Sequence, residues 1–229
     1  SDINKSHIDC DRVQDSYSFR CAPQVHGPMI DVLREARRVV NIEINSATDN
    51  PLVFSNDGKP EVISGGNFHG QVLAIISDNM AICIHEIASI SERRINQVLD
   101  PQWSGQKAFL ANDEGLESGL MIVQYVAAAV IAELSLLSNP ISTTNVPVSM
   151  GKEDHVSMGA TAAYRTFKAS KLLSSVISSE LICSCQALDN ISEKASDSVS
   201  KIHDWLRSYV SKIENDRSTT NDTEIIAEK

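Results

Sequence analysis

The chain has 229 residues, 42% of them hydrophobic and 22% charged, which bounds it to one or two globular domains and argues against a disordered chain. Aromatic residues make up only 5%, a balance that favours packed helices over a β-sandwich. The net charge of −10 is spread along the chain and leaves no basic patch, which excludes nucleic acid as a partner.

Residues 1–22 are polar and read as a loop segment, followed by Pro23. Met29, Val32, Leu33, Ala36, Val39 and Val40 recur at helical spacing and predict a helix over about 24–45, stopped by Asp49-Asn50-Pro51. Val53 to Ile63 reads as a hairpin closed around Asn56-Asp57-Gly58. A longer helix is predicted over 67–99, where Val72, Ile76, Met80, Cys83, Ile87 and Ile90 share one face. At a rise of about 1.5 Å per residue it spans roughly 45–50 Å, the length of an extended bundle helix.

A loop over 101–114 precedes a helix over 116–137. Its Leu116, Leu120, Val123, Ala127, Val130, Leu134 and Leu137 alternate by three and four, a coiled-coil-like seam. The apolar run 119–132 is shorter than the ~20 residues of a membrane span, and Gln124 and Glu133 interrupt or bound it, so no membrane is expected. After a loop over 139–152, a fourth helix is predicted over 154–188. A fifth, over 196–213, has Ile202, Trp205, Leu206, Tyr209 and Ile213 on its apolar side, and the charged tail from Asn215 is expected to fray or pack lightly.

The fold class is therefore all-α, a bundle of long helices with a small hairpin between the first two. It divides into a loop segment over 1–22, central helices over 23–189, and a terminal helix and tail over 190–229. The helix flanks are too apolar for five helices to stand alone, so further helices, from another chain or from missing polypeptide, are expected to cover them.

The five cysteines are odd in number and three lie within apolar helical patterns, as reduced thiols of a cytosolic protein do. Cys183-Ser184-Cys185 lacks a second pair at ligand spacing, so no metal site is expected. Beginning at Ser1, with no Met and no targeting motif, the chain reads as processed or fragmentary.

Three loop segments gather groups able to do chemistry. In Val13–Arg20, Gln14, Tyr17 and Arg20 recur at steps of three; a guanidinium holds a carboxylate through two parallel hydrogen bonds. In Ile63–Gly70, paired glycines allow close backbone approach and Asn67 is placed to cap a helix, with Phe68 and His69 following. The Lys and Ser/Thr of a phosphate-binding loop are missing there. In Ser149–Met158, Glu153 and Asp154 are expected at a helix start, where the helix dipole favours negative charge. Taken singly, each segment also reads as an ordinary polar loop, a hydrogen-bonded histidine or a helix cap.

In order along the chain, VQDSYSFRCAPQVHG, SATDNPLVF, SGGNFHG, SISERRI, SGLMI and EDHVSM resemble the C-terminal half of the histidine and aromatic amino-acid ammonia-lyase family. The resemblance implies a helical fold of the fumarase/aspartase-like superfamily and a cytoplasmic, homotetrameric enzyme that eliminates ammonia from an amino acid. It implies that Arg20 grips the substrate carboxylate, that Gln14 and Tyr17 line the reacting centre, that Phe68 walls the pocket and that Glu153 meets the amino group or the imidazole. Tyr17 and Glu153 would be the catalytic pair. Glu-Asp-His is similar to the histidine branch, which points to L-histidine and urocanate. Tyrosine or phenylalanine ammonia-lyases and aminomutases stay open, as does a helical assembly module without activity. Lys152 stands where histidine ammonia-lyases usually have Gln, and GLESGLMI, with Glu117 and Leu120, stands for the family's GLNSGFMI.

The family's electrophile is methylidene-imidazolone, made from an internal Ala-Ser-Gly. Ser64-Gly65, Ser104-Gly105 and Ser118-Gly119 are the Ser-Gly pairs here, and none follows Ala. The electrophile and a second, proton-abstracting tyrosine are thus expected from polypeptide outside these residues, and the isolated chain is expected to be inactive.

Overall fold

A computed structural model describes Cys10 and residues 12–229. Long helices dominate it. The described residues begin, after an irregular stretch, with a single helical turn, α1 (Tyr17–Arg20), followed by α2 (Ala22–Glu43). The stretch expected as loop is therefore helical from Tyr17 on. Ser16 lies in the extended conformation of an N-cap, and its carbonyl accepts from the Phe19 and Arg20 amides at 3.1 and 2.9 Å. Four residues are too few for a periodic signal. The same loop expectation over residues 1–9 and 11 lies outside the described residues.

Strands β1 (Leu52–Asn56) and β2 (Lys59–Ile63) form the predicted antiparallel hairpin, with Leu52 opposite Ile63 and Asn56 opposite Lys59. Asp57 and Gly58, at φ 50° and 75°, make a two-residue turn in the left-handed region, whose twist suits the strands. Helix α3 (Gln71–Leu99) begins four residues after Asn67. Gly70, at φ 74°, breaks the helical run, and Asn67 caps nothing: its amide donates to Ala47 O at 2.8 Å. By length and composition α3 could cross a membrane. Its buried Asp78 and Glu92 mark it instead as a core helix: Asp78 accepts from the Ser142 amide at 2.7 Å and Glu92 bonds Arg93.

Within the expected loop, Asp100 caps a short helix, α4 (Pro101–Ser104), through the Gln102 amide at 2.8 Å, with Pro101 at the first position. Helix α5 (Met121–Leu137) starts five residues later than the seam predicts, because Gly115 and Gly119 hold φ of 93° and 53°. Leu116 is left exposed, while Leu120, Val123, Ala127 and Leu134 are buried as expected. At Gly119 a Cβ would stand 2.5 Å from Phe109 O, so only glycine fits.

Helix α6 (Gly159–Leu188) begins at Gly159, not Asp154. Glu153 and Asp154 thus lie outside the first turn, and dipole stabilisation does not apply to them. A turn through Met150 and Gly151, both at positive φ, and a bridge between Val148 and Glu153 shape that loop instead. Helix α7 (Asp197–Arg207) ends before Ile213. The buried Gln186 amide takes the Ile213 backbone out of helix: Nε2 donates to Ile213 O at 2.9 Å and Oε1 accepts from Ile213 N at 3.1 Å. The tail packs rather than frays. It forms α8 (Thr220–Ala227), buries Ile226, and sets the Asp216 carboxylate against the amides of Ser118 and Gly119 at 2.8 and 2.9 Å.

The chain divides into two compact units. One takes the described residues through His26, Glu86–Glu133 and Lys171–Lys229, and buries Ile95, Leu99, Leu120, Val176, Ile182 and Leu206. The other takes Gly27–His85 and Leu134–Ser170; in it Ala36 and Val39 of α2 pack with Ile76, Leu73 and Met80 of α3. All five cysteines are free, and Cys83, Cys183 and Cys185 are buried.

Candidate active site

Gln14, Tyr17 and Arg20 belong to the first unit. Helix α1 turns Ser18 inward, where it is buried, and leaves Tyr17, Phe19 and Arg20 exposed. The turn is fastened from below. Ser16 Oγ donates to Gln97 Oε1 at 2.7 Å, and Arg94 reaches Ser18 O at 3.5 Å. On the outer side Arg20 Nη1 donates to Gln14 Oε1, so the amide and the guanidinium predicted together stand together.

Both line an open cavity of about 830 Å³ with Arg12, Asp15, Gln97 and Trp103. Two guanidiniums against one carboxylate make it cationic on balance, as an anion site must be. Tyr17 does not line it and is 69% exposed. Arg12, Gln97 and Trp103 escaped the sequence reading. Trp103 had a legible signal, because Asp100-Pro101 is a helix start that fixes the residue two places on. Gln97 had none, being one polar residue on a long amphipathic helix.

Phe68 and Glu153 belong to the second unit, and both are exposed. Asn50 Oδ1 accepts from Ser64 Oγ at 2.9 Å and from the Gly65 amide at 3.2 Å, tying the Phe68 loop to the turn before the hairpin. Glu153 shares a two-bond bridge with Val148, its carbonyl accepting from Val148 N at 3.0 Å. The Asn145 amide then spans the next residues, donating to Asp154 O at 2.7 Å and accepting from Val156 N at 2.9 Å. The two loops are fastened to each other: His69 Nε2 bonds His155 O at 2.8 Å, and Ser157 Oγ donates to His69 O at 2.5 Å. Among the described residues no group of three His, Cys, Asp or Glu side chains is placed to hold a metal ion.

The profile of the aromatic amino acid lyase family matches residues 1–208. The chain belongs to this family. It is 45% identical over 218 residues to a histidine ammonia-lyase of Deinococcus radiodurans, covering 95% of this chain and 41% of that protein. The crystal structure of histidine ammonia-lyase from Trypanosoma cruzi superposes with a TM-score of 0.89 at 39% identity, over 94% of this chain and 42% of that one. The phenylalanine aminomutase of Pantoea agglomerans gives 0.88 at 32% identity, over 99% and 45%. The chain thus spans less than half the length of these relatives.

Membership of this lyase family settles the fold class: the bundle of long helices is the fumarase/aspartase-like one. It also gives context to the differences from the family's usual motifs. Glu117 Oε2 accepts from the Asn112 and Asp113 amides, at 3.1 Å each, as a structural clamp on its own loop. Leu120 is a fully buried core residue.

Proposed function

We propose that this chain is the C-terminal part of a histidine ammonia-lyase that converts L-histidine to urocanate and ammonia. The supporting observation is the Gln14–Arg20 couple at an open cationic cavity, in a chain 45% identical to a histidine ammonia-lyase.

An amino acid arrives with a carboxylate and an ammonium. Arg20, already held by Gln14, grips the carboxylate through its fork. Glu153, a carboxylate on a loop fixed at both ends, receives the ammonium or the imidazole. Tyr17, exposed and directly following Ser16, where its loop is fastened, donates a hydrogen bond to the reacting centre. Phe68 supplies an apolar wall. In the reaction a base, the second tyrosine expected from outside these residues, would take the β-proton; the Cα=Cβ bond forms from that electron pair, and the C–N bond breaks to release ammonia.

Ammonia leaves poorly unaided; methylidene-imidazolone, supplied from outside these residues, would provide the electrophile that activates it. The donor set fits such a group. Tyr17 offers an exposed hydroxyl, and Phe68 offers an exposed ring to lie against an unsaturated one. The parent enzyme is proposed to be a cytoplasmic homotetramer.

Incubating the full-length protein with L-histidine, L-tyrosine and L-phenylalanine and following absorbance of the unsaturated acids tests this reading. Urocanate formation is expected; turnover of tyrosine or phenylalanine alone overturns the histidine assignment. The likeness to a phenylalanine aminomutase favours a second reading, in which a β-amino acid appears among the products. The isolated 229-residue chain is expected to show no turnover, and clear activity from it refutes the division of the site.

A further inference from the structure

We infer that His69 is a positioning residue for Glu153, clamping the loop that presents this carboxylate to the loop that carries Phe68. The inference rests on the reading of Glu153 as a substrate-facing group.

Glu153 is exposed, so nothing packed around its side chain determines where it points; its backbone must do so. Three bonds act on that backbone from within its own loop. Two are the Val148 bridge and the third is the Asn145 contact at Asp154 O. They fix the shape of residues 145–156 but not the position of that hairpin-like loop. Position comes from the crossed pair with residues 86 and 88 places away. His69 Nε2 bonds His155 O, and Ser157 Oγ returns to His69 O. A carbonyl only accepts, so His69 carries its proton on Nε2 in this contact. The two imidazole rings lie nearly parallel, 11° apart, with centroids 5.7 Å from one another.

The backbones beneath are close as well. A Cβ on Gly159 would meet Gly70 O at 3.3 Å, tighter than an ordinary contact, so this glycine lets the two segments approach. Phe68 precedes His69 directly, and Glu153 precedes His155 by two residues. One side chain therefore couples the two residues assigned to the pocket in this unit.

The test uses the full-length protein with three variants, H69A, H69Q and E153Q. Glutamine keeps an N–H at a reach close to that of Nε2, so it can donate to the same carbonyl. Amide exchange at Val148 and Val156, both bonded within the Glu153 loop, reads the clamp directly. H69A is expected to speed exchange there and to lower kcat about ten- to a hundredfold, the cost of a displaced group. H69Q is expected to restore both. In the E153Q background H69A should add little further loss, because a residue acting only through Glu153 has nothing left to position. Unchanged exchange in H69A, no rescue by H69Q, or the same fold loss with and without Glu153 overturns the inference. If E153Q itself leaves turnover intact, the role of Glu153 falls, and the exchange measurement still decides whether the clamp exists.

Discussion

Arg94 holds Glu180 with both ends of its guanidinium fork, Nε on Oε1 and Nη2 on Oε2 at 2.9 Å, each side chain less than one-fifth exposed. Ser91 Oγ adds a third bond to the same carboxylate, and Arg94 Nη1 reaches Ser18 O in the turn that presents Tyr17 and Arg20. The pair joins α3 to α6 beneath the candidate site. Removing one partner of a fully buried pair costs about 3–5 kcal/mol, and an exposed pair contributes under about 1. Glu180→Ala, which leaves Arg94 largely buried and unpaired, is expected to cost about 2–4 kcal/mol. A lower urea midpoint at constant m-value measures it; an unchanged midpoint shows the pair to be inert.

Two glycines at positive φ should respond differently to the same substitution. Gly58, at φ 75° in the hairpin turn, has open space around it, so Gly58→Ala meets only the left-handed penalty of about 1–2 kcal/mol. Gly119, at φ 53°, would place its Cβ 2.5 Å from Phe109 O and 3.0 Å from Ala111 N, backbone atoms that cannot turn aside. Gly119→Ala is expected to cost several kcal/mol more than Gly58→Ala, read as a difference in thermal midpoint. Equal midpoints would mean that the Ser118–Leu120 turn relaxes freely.

That turn also shows where the sequence stops being legible. The seam from Leu120 to Leu137 is written at spacing three and four, and burial of Leu120, Val123, Ala127 and Leu134 follows it. Its start is not written there. Leu116 keeps the period yet lies outside the helix, because the Gly119 conformation and the Asp216 carboxylate, 97 residues away, set the boundary. Asp154 misleads for the same reason: a capping residue type counts only if the following backbone is helical, and here Met150, Gly151 and Asn145 decide otherwise. The candidate site divides likewise. Gln14 and Arg20 are readable as a pair because both sit in one octet. The His69–His155 contact is not, since its two halves are joined only by folding.

Burial pushes the Cys183 thiol well above its ordinary value of 9.0, with the Glu180 carboxylate adding to the shift, and burial likewise raises Cys185. The thiolate is the reactive form, so both should resist a disulfide reagent that modifies exposed Cys10. The sign for stability follows. Above pH 9.0 the unfolded chain loses the Cys183 proton while the folded chain keeps it, so this thiol's contribution to stability is full below that pH and declines as pH rises further. The slope is about 1.4 kcal/mol per pH unit per thiol. Labelling counted with and without denaturant checks the first point; rapid modification of Cys183 in the native protein contradicts it.

On the proposed reading of Arg20 as the grip on the substrate carboxylate, the Gln14–Arg20 bond fixes the fork before substrate arrives. A free arginine side chain must lose rotamer freedom to hold a carboxylate, and Gln14 removes part of that cost. Lysine in place of Arg20 keeps the charge but has no planar fork and no pair of parallel donors. A hydrogen bond to a charged group contributes about 1.5–3 kcal/mol, so Arg20→Lys in the full-length lyase is expected to lower kcat/KM about ten- to a hundredfold. Gln14→Ala should act in the same direction by a smaller factor and mainly through KM, since it loosens the guanidinium without removing it. In the double variant the two losses should not multiply, because Gln14 then has no guanidinium to orient. Multiplying losses would place Gln14 on the substrate or the activating group rather than behind Arg20.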